Sequence, residues 1–107
     1  MKRLFVLVLI LFASPAFATN YYVSVSGKDS NTGRSITAAW ATIQHAAVAM
    51  RAGDSLTVLA GKYPERVYVT RSGSSTAPIS FAADPNSIVQ VQGFEIQDAN
   101  YIQVTGF

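Results

Sequence analysis

Asp29-Ser-Asn-Thr-Gly33 is the first stretch whose side chains could do chemistry. Acidic and amide oxygens alternate in it, as they do in loops that bind Ca²⁺. However, Gly33 stands where a third oxygen ligand is needed, and Trp40 occupies the place of the closing glutamate of an EF-hand loop. The pattern therefore favours an Asx-type turn that shapes a loop rather than a calcium site.

His45 is the only histidine, and there is no cysteine. A metal site built on His45 would lack the second histidine or the thiolate that it needs, and disulfides are excluded. His45 also falls beside Gln44 on the polar side of a predicted helix, which favours a solvated side chain. From these residues we predict no catalytic residue, no cofactor ligand and no metal ligand in this chain.

Lys62, Glu65 and Arg66 form the second charged group, directly after Gly61. They could offer charge to a sugar acid, although their simpler role is to keep the outer surface soluble.

Three tyrosines, Tyr63, Tyr68 and Tyr101, would stack on sugar rings if their side chains faced outward. Tyr68 lies between two valines, so the alternation of side chains along a strand places it outside. A lone exposed tyrosine is weak support for a binding surface.

The elements that must position these residues begin with an alternating strand at residues 21–26 and a turn-rich loop. At residues 40–52 the apolar spacing changes to three and four, typical of an amphipathic helix. Thr42 is its predicted N-cap and Gly53 its predicted stop. The apolar face carries Trp40, Ile43, Ala47 and Met50.

After the helix come short strands, each marked by two apolar residues separated by one. Leu56, Ile79 and Ile102 begin three such pairs at equal intervals, and Val67 and Val89 begin two others at almost the same interval. A period in the range of about 20 to 50 residues predicts a solenoid in which each repeat buries its apolar face on the next. The alternative is an antiparallel meander, whose hairpins favour Asn-Gly or Asp-Gly turns. Neither dipeptide occurs.

Residues 88–94 and 101–107 form a short internal repeat, in which Gln, Val, Gly and Phe recur at an offset of 13 residues. The apolar spacing in residues 89–96 runs two, three, two. All four apolar side chains can face one interior only if the chain turns at Gly93, and Gly106 repeats that corner.

The N-terminus has the pattern of an export signal. Lys2 and Arg3 precede an apolar run at residues 4–12, and Ala16-Phe17-Ala18 matches the small-x-small pattern at which signal peptidase cuts. A membrane anchor would need about 20 apolar residues. The sequence therefore predicts cleavage after Ala18, and a secreted or periplasmic protein of a bacterium.

The formal net charge of +2 belongs to the signal, because Lys2 and Arg3 account for it. The mature chain is formally neutral, which gives no argument for a nucleic-acid partner or for a membrane after cleavage.

Several segments, taken in their order and spacing, resemble the N-terminal part of right-handed parallel β-helix proteins of the pectate-lyase-like group. They are Tyr21-Tyr-Val-Ser, Gly27-Lys-Asp-Ser-Asn-Thr-Gly33, Trp40-Ala-Thr-Ile-Gln-His-Ala46, Gly53-Asp, Gly61-Lys-Tyr-Pro-Glu-Arg-Val67, Ala77-Pro-Ile, Ala99-Asn-Tyr-Ile102 and Gly106-Phe107. The resemblance implies an all-β solenoid: a signal peptide at residues 1–18, a cap of strand, loop and α-helix at 19–55, and the first coils of a parallel β-helix at 56–107.

The resemblance also implies a link to acidic polysaccharides such as pectin. Family enzymes of the lyase type use Ca²⁺ to acidify a proton beside a uronate carboxyl, and a Lys or Arg removes that proton by β-elimination. Those groups sit on middle coils, so no residue here inherits the role, and Ca²⁺ is expected only in a full-length relative.

Family members carry more coils and a C-terminal cap, so we expect this chain to be truncated after about two coils and inactive alone. The alternatives are a complete small β-helix, a non-catalytic surface, adhesin-like or carbohydrate-binding β-helix, and a degraded reading frame.

Overall fold

The computed structural model describes residues 18–107. The predicted signal peptide, apart from Ala18, lies outside the described residues. The six strands in this part of the chain are β1 (Asn20–Val23), β2 (Ser55–Val58), β3 (Gly61–Val69), β4 (Ile79–Ala83), β5 (Val89–Ile96) and β6 (Ile102–Thr105), with one α-helix, α1 (Ile43–Ala49), and a 3-10 turn at Ile36–Ala38. No helix in residues 18–107 has the length and apolar character needed to cross a membrane.

All strand pairs are parallel. One sheet has four strands in the order β1-β2-β4-β6, and the other pairs β3 with β5. From β2 onward the chain alternates between the two sheets, so strands that are neighbours in space come from successive passages of the chain in the same direction. The antiparallel meander is therefore wrong.

The equal spacing of Leu56, Ile79 and Ile102 predicts that they stack in one column, and this is only partly right. Ile79 does lie opposite Ile102, but Leu56 lies opposite Phe81 and not opposite Ile79. The connections between successive strands differ in length, so one fixed period cannot give the register of every pair.

The register of the second sheet also differs from the one that the spacing of Val67 and Val89 predicts. Val67 lies opposite Phe94, while Val89 lies opposite Gly61. The two valines that look equivalent in sequence therefore occupy different levels of the structure.

The core lies between the two sheets and α1. Its largest fully buried side chains are Phe81, Ile43, Met50, Leu56, Ile79, Val23, Val58, Val67 and Val69. Phe94 extends the core by packing edge-on to Phe81, with ring centroids 5.5 Å apart, and against Phe107 at 5.0 Å. Ile96, which the apolar spacing predicts inside, is 46% exposed.

Thr42 is the N-cap of helix α1, as the sequence predicts. Thr42 has an extended backbone, and its hydroxyl accepts a hydrogen bond from the His45 amide at 3.2 Å. The helix is nevertheless shorter than predicted at both ends: Trp40 precedes it, and it stops at Ala49. Gly53, with φ of +91°, lies in the turn beyond and does not terminate the helix.

Hydrogen bonds of Asp54 explain why α1 ends earlier than predicted. Its carboxylate accepts a hydrogen bond from the Arg51 amide at 2.9 Å, and its own amide donates to the Arg51 carbonyl. This tight turn replaces a further helical turn and sends the chain directly into β2.

The corner predicted at Gly93 is a bulge. β5 runs without interruption past Gly93, while the register of β3 shifts between Tyr63 and Arg66. Three residues of β3 between Tyr63 and Val67 therefore face two residues of β5. This bulge is what keeps apolar side chains of both strands directed into the core despite the spacing of three.

Candidate functional site

Trp40 anchors the segment that precedes α1. It is 5% exposed, its indole N–H donates to the Asn31 carbonyl at 2.8 Å, and Tyr21 stacks on it with centroids 4.6 Å apart. Gly33 lies against the indole, since a Cβ there would come within 2.5 Å of the ring. The loop at residues 27–33 thus holds Trp40 in place.

His45 belongs to the same arrangement. It is half-buried and packs edge-on against Trp40, with centroids 4.7 Å apart. The expectation of a solvated side chain is only partly right, because the helix turns one side of His45 toward the indole and leaves the rest exposed.

Asp29 is a structural carboxylate, but its partners are Ala41 and Thr42 and not the backbone of its own loop, as the predicted Asx-type turn would require. One oxygen accepts from the Ala41 and Thr42 amides at 2.9 and 3.0 Å, and the other accepts from the Thr42 hydroxyl at 2.9 Å. Partial burial raises the pKa of Asp29, but these hydrogen bonds, helped by nearby His45, outweigh burial and bring the pKa below its ordinary value.

Glu65 is a second structural carboxylate, and its position corrects the expectation that it is merely a solubilising charge. Its two oxygens accept from the Ile43 and Gln44 amides at 2.9 and 3.0 Å. It projects from the bulge of β3 and satisfies the first amides of α1, which have no partner within the helix.

Gln44 fixes the other side of this junction. Its amide group accepts from the Tyr68 N–H at 2.7 Å and donates to the Tyr68 carbonyl at 3.0 Å. The side chain therefore pairs with the free edge of β3 as a neighbouring strand would, and α1 covers that edge.

The surface that remains for a ligand is the outer side of the β3–β5 sheet, which we call the β3–β5 outer face. It carries two cations, two amides, an aromatic ring and a carboxylate. These are Lys62, Arg66 and Tyr68 on β3 and Gln90, Gln92 and Glu95 on β5, all exposed.

Two depressions lie next to each other on this face and share Lys62, Tyr63 and Pro64 as lining residues. The first, of about 300 Å³, extends toward α1 and is also lined by Thr42. The second, of about 240 Å³, extends across β5 and is lined by Gln90, Val91 and Gln92. The lining of each depression is more apolar than polar, as it is in small-ligand sites.

Arg66 lies across the backbone of Gly93, whose missing side chain leaves room for the guanidinium. Its nitrogen is 4.0 Å from a carboxylate oxygen of Glu95, and both side chains are about half exposed. An exposed pair at that distance contributes little to stability, so Arg66 is free to exchange Glu95 for another anion.

The three candidate tyrosines differ in the exposure of their side chains. Tyr68 is outside and 44% exposed, as alternation predicts, and Tyr101 is 55% exposed. Tyr63 is buried at 2% exposure, and its hydroxyl donates to the Leu59 carbonyl at 2.7 Å. It shares the inward direction of Val67 and Val69 across the bulge.

Tyr63 should ionise unusually late. Burial and, to a smaller extent, the Glu65 carboxylate raise its pKa to about 12, although a hydrogen bond with the Val25 backbone acts in the opposite direction. Because the unfolded chain loses this proton near pH 10, stability should fall as pH rises from about 10 to about 12. Following phenolate absorbance against pH should reveal a step near 12 that Tyr63→Phe removes. A last step near pH 10 would contradict the prediction.

Tyr101 has φ of +60°, a left-handed conformation that bulky side chains adopt at a cost. Tyr101→Asn should therefore raise the free energy of unfolding by about 0.5–1 kcal/mol, since asparagine tolerates this region. Tyr68→Asn, at an exposed position within a regular strand, is the matched control and should lower it. Urea unfolding measures both, and a loss of stability in both variants would refute the strain argument.

Sequence reasoning missed the roles of Glu65 and Asp54, whose partners are distant in the chain. Within residues 18–107, no three His, Cys, Asp or Glu side chains lie together in a way that could hold a metal ion.

Among the comparisons with known proteins, the matches come from solved structures. No family model matches the sequence, and a search of curated proteins finds no match. Among solved structures, the complex of XylC with xylose is 30% identical with a TM-score of 0.63, and the alignment covers 66% of this chain. The GH136 lacto-N-biosidase from Eubacterium ramulus is 20% identical with a TM-score of 0.56 over 62% of this chain, a likeness of fold alone.

The chain spans only 11% of the length of each of these two structures. Its described part is mostly β, built of parallel sheets with one α-helix. The chain therefore resembles, in fold, a part of two proteins whose names refer to carbohydrates.

Proposed function

We propose that this chain forms the N-terminal cap and first coils of an exported right-handed parallel β-helix protein that binds acidic polysaccharide at the β3–β5 outer face. The uniformly parallel pairing supports the β-helix, as does the covering of the first strand edges by the Trp40 segment and α1. The carbohydrate-related neighbours support the class of ligand.

The observation that carries the proposal is the placement of Lys62 and Arg66 on one exposed face between hydrogen-bonding amides. A guanidinium matches a carboxylate through two parallel hydrogen bonds, and an ammonium adds a flexible point charge. Because the bulge lies between them, Lys62 and Arg66 face Gln90 and Gly93, which are three steps apart on β5, and strand geometry of about 3.3 Å per residue separates them by roughly 10 Å. They would thus contact carboxylates on different sugars of one chain.

The neutral groups of the face suit the rest of a sugar polymer. Gln90 and Gln92 offer both donors and acceptors to hydroxyl groups. Tyr68 presents an exposed ring, and Pro64 an apolar surface beside the depressions. Acidic polysaccharide is favoured over neutral polymer because the face carries two cations against one carboxylate.

Binding to polygalacturonate, measured by isothermal titration calorimetry, tests the proposal. The double variant Lys62→Ala/Arg66→Ala should weaken binding at least tenfold, and added salt should weaken the wild type. Lys28→Ala/Arg34→Ala removes the same charge from the loop over Trp40 and should bind as the wild type does. Equal affinity of both double variants, or equal binding of a neutral xylan, would count against this site.

Catalysis is a separate proposal for a longer protein that contains this chain. If that protein is a polysaccharide lyase, it should release unsaturated uronate products from polygalacturonate in a Ca²⁺-dependent way, visible as rising ultraviolet absorbance. Binding without such a rise would favour the alternative, a non-catalytic β-helix that uses the same face for attachment.

A further inference from the structure

Asp54 is the one charged side chain among residues 18–107 that is buried, at 7% exposure. One oxygen accepts from the Arg51 amide at 2.9 Å and the other from the backbone nitrogen of Thr19 at 3.0 Å. Thr19 is the residue directly after the predicted cleavage site. A buried carboxylate is thus aimed at the atom that cleavage would turn into an amine.

We propose that removal of the export signal after Ala18 completes the fold by creating an ion pair between the new α-ammonium group of Thr19 and Asp54. Hydrolysis by signal peptidase breaks the bond between the Ala18 carbonyl carbon and the Thr19 nitrogen. Water supplies the hydroxyl to Ala18 and a hydrogen to Thr19, and the amine takes one further proton from solvent. This proposal rests on the predicted cleavage site and not on carbohydrate binding.

The surroundings suit a terminal ammonium. Ala18 is exposed and Thr19 half-buried, so a terminal ammonium on Thr19 would keep contact with water. The Thr19 carbonyl already accepts from the Ser55 amide at 3.0 Å, and the Ser55 hydroxyl donates to Asn20 at 2.6 Å. Since these contacts hold the same nitrogen in place before and after cleavage, the pair needs no rearrangement.

A terminal ammonium strengthens an existing contact at low desolvation cost. In the uncleaved chain the buried carboxylate receives two neutral amide donors, whereas in the mature chain one donor carries a full charge. Leaving a buried carboxylate without a cation is expensive, and the half-exposed terminus supplies one. Cleavage should therefore fasten the first strand, β1, to the turn that begins β2.

The local charges make the effect measurable. The strands that pack here, β1, β2 and β4, contain no Lys, Arg, His, Asp or Glu; β1 carries the phenols of Tyr21 and Tyr22, and Arg51 is the nearby charged residue of the turn. The carboxylate should raise the pKa of the amine above its ordinary value of about 8. Its stabilisation is then complete below about pH 8 and is lost as pH rises through the raised value.

Thermal unfolding from pH 6 to pH 10.5 tests the proposal on two proteins, one beginning at Thr19 and one extended by Gly-Ala so that Thr19 is preceded by Ala18. The Thr19 form should melt at least about 4 °C higher at pH 6, a difference that closes above pH 9–10. The rate at which an amine-selective acylating reagent labels the Thr19 α-amine should show the raised pKa independently.

Asp54→Asn is the matched variant, in which the two forms should have equal melting temperatures. If Asp54→Asn does not fold, acetylating the amine of the Thr19 form serves instead and should bring its melting temperature down to that of the extended form. Equal melting temperatures of the two wild-type forms at pH 6, or an α-amine pKa at or below about 8, would overturn the proposal. So would N-terminal sequencing that finds the exported chain starting at another residue.

Discussion

Replacing Trp40 by alanine is expected to lower the free energy of unfolding by about 3–5 kcal/mol, the usual cost of emptying a buried aromatic site. Trp40 fills the space between β1 and the loop at residues 27–33, stacks on Tyr21, and satisfies the Asn31 carbonyl. A small domain has only about 5–15 kcal/mol in total. Trp40→Ala should therefore be close to unfolded at 37 °C, as measured by urea titration with circular dichroism.

Trp40→Phe separates packing from hydrogen bonding. It keeps an aromatic ring between Tyr21 and His45 but loses the indole donor, so it should cost clearly less than alanine. A Trp40→Ala protein whose stability matches that of the wild type would show that the loop and α1 cover β1 without the indole.

Glu65→Ala is expected to cost about 2–4 kcal/mol, because two charge-assisted hydrogen bonds to the amides of Ile43 and Gln44 disappear together. The loss also disconnects the start of α1 from β3. Glu65→Gln should fall between alanine and wild type, since one amide oxygen replaces two carboxylate oxygens. Urea unfolding again supplies the measurement.

Glu95→Ala is the matched control for Glu65→Ala. It removes the same charge from the neighbouring strand, where the carboxylate is half exposed and 4.0 Å from Arg66, so its effect should stay within about 0.5 kcal/mol. Similar losses for the two variants would mean that Glu65 acts through net charge and not as the cap of α1.

The features that the sequence predicts well are local ones. Thr42 is the N-cap because the cap depends on a hydroxyl three residues before an amide, and both lie in one short segment. The parallel pairing of the strands follows from repeated apolar pairs without hairpin turns. Tyr68 is outside because alternation needs only its two neighbours.

The register could not be predicted, because it depends on the lengths of connections that the apolar pattern does not constrain. Leu56 looks equivalent to Ile79, yet the longer passage from β2 to β4 places it opposite Phe81. The end of the helix could not be predicted for a similar reason, since the turn that Asp54 closes competes with α1 for the Arg51 amide.

The roles of the two structural carboxylates could not be predicted, because their hydrogen-bond partners are distant in the sequence. Glu65 meets Ile43 and Gln44, and Asp54 meets Thr19, only after an intervening strand or helix has brought them together. Nothing in the immediate neighbourhood of either acid distinguishes it from a solubilising charge. Only part of the β3–β5 outer face could be predicted from the sequence. Lys62 and Arg66 are recognisable as charged candidates, whereas the pattern does not show that residues of β5 lie beside them.

The bulge in β3 has a consequence for how this protein can change length over evolution. Removing Pro64 would restore even pairing with β5, but it would exchange inner and outer positions along one half of the strand, sending either Tyr63 or Val67 toward water. The loop at residues 70–76 carries no side chain in the core, so a change in its length does not exchange inner and outer positions. Homologous proteins should therefore differ in length at that loop, whereas an alignment of them should show no gaps at positions 64–65.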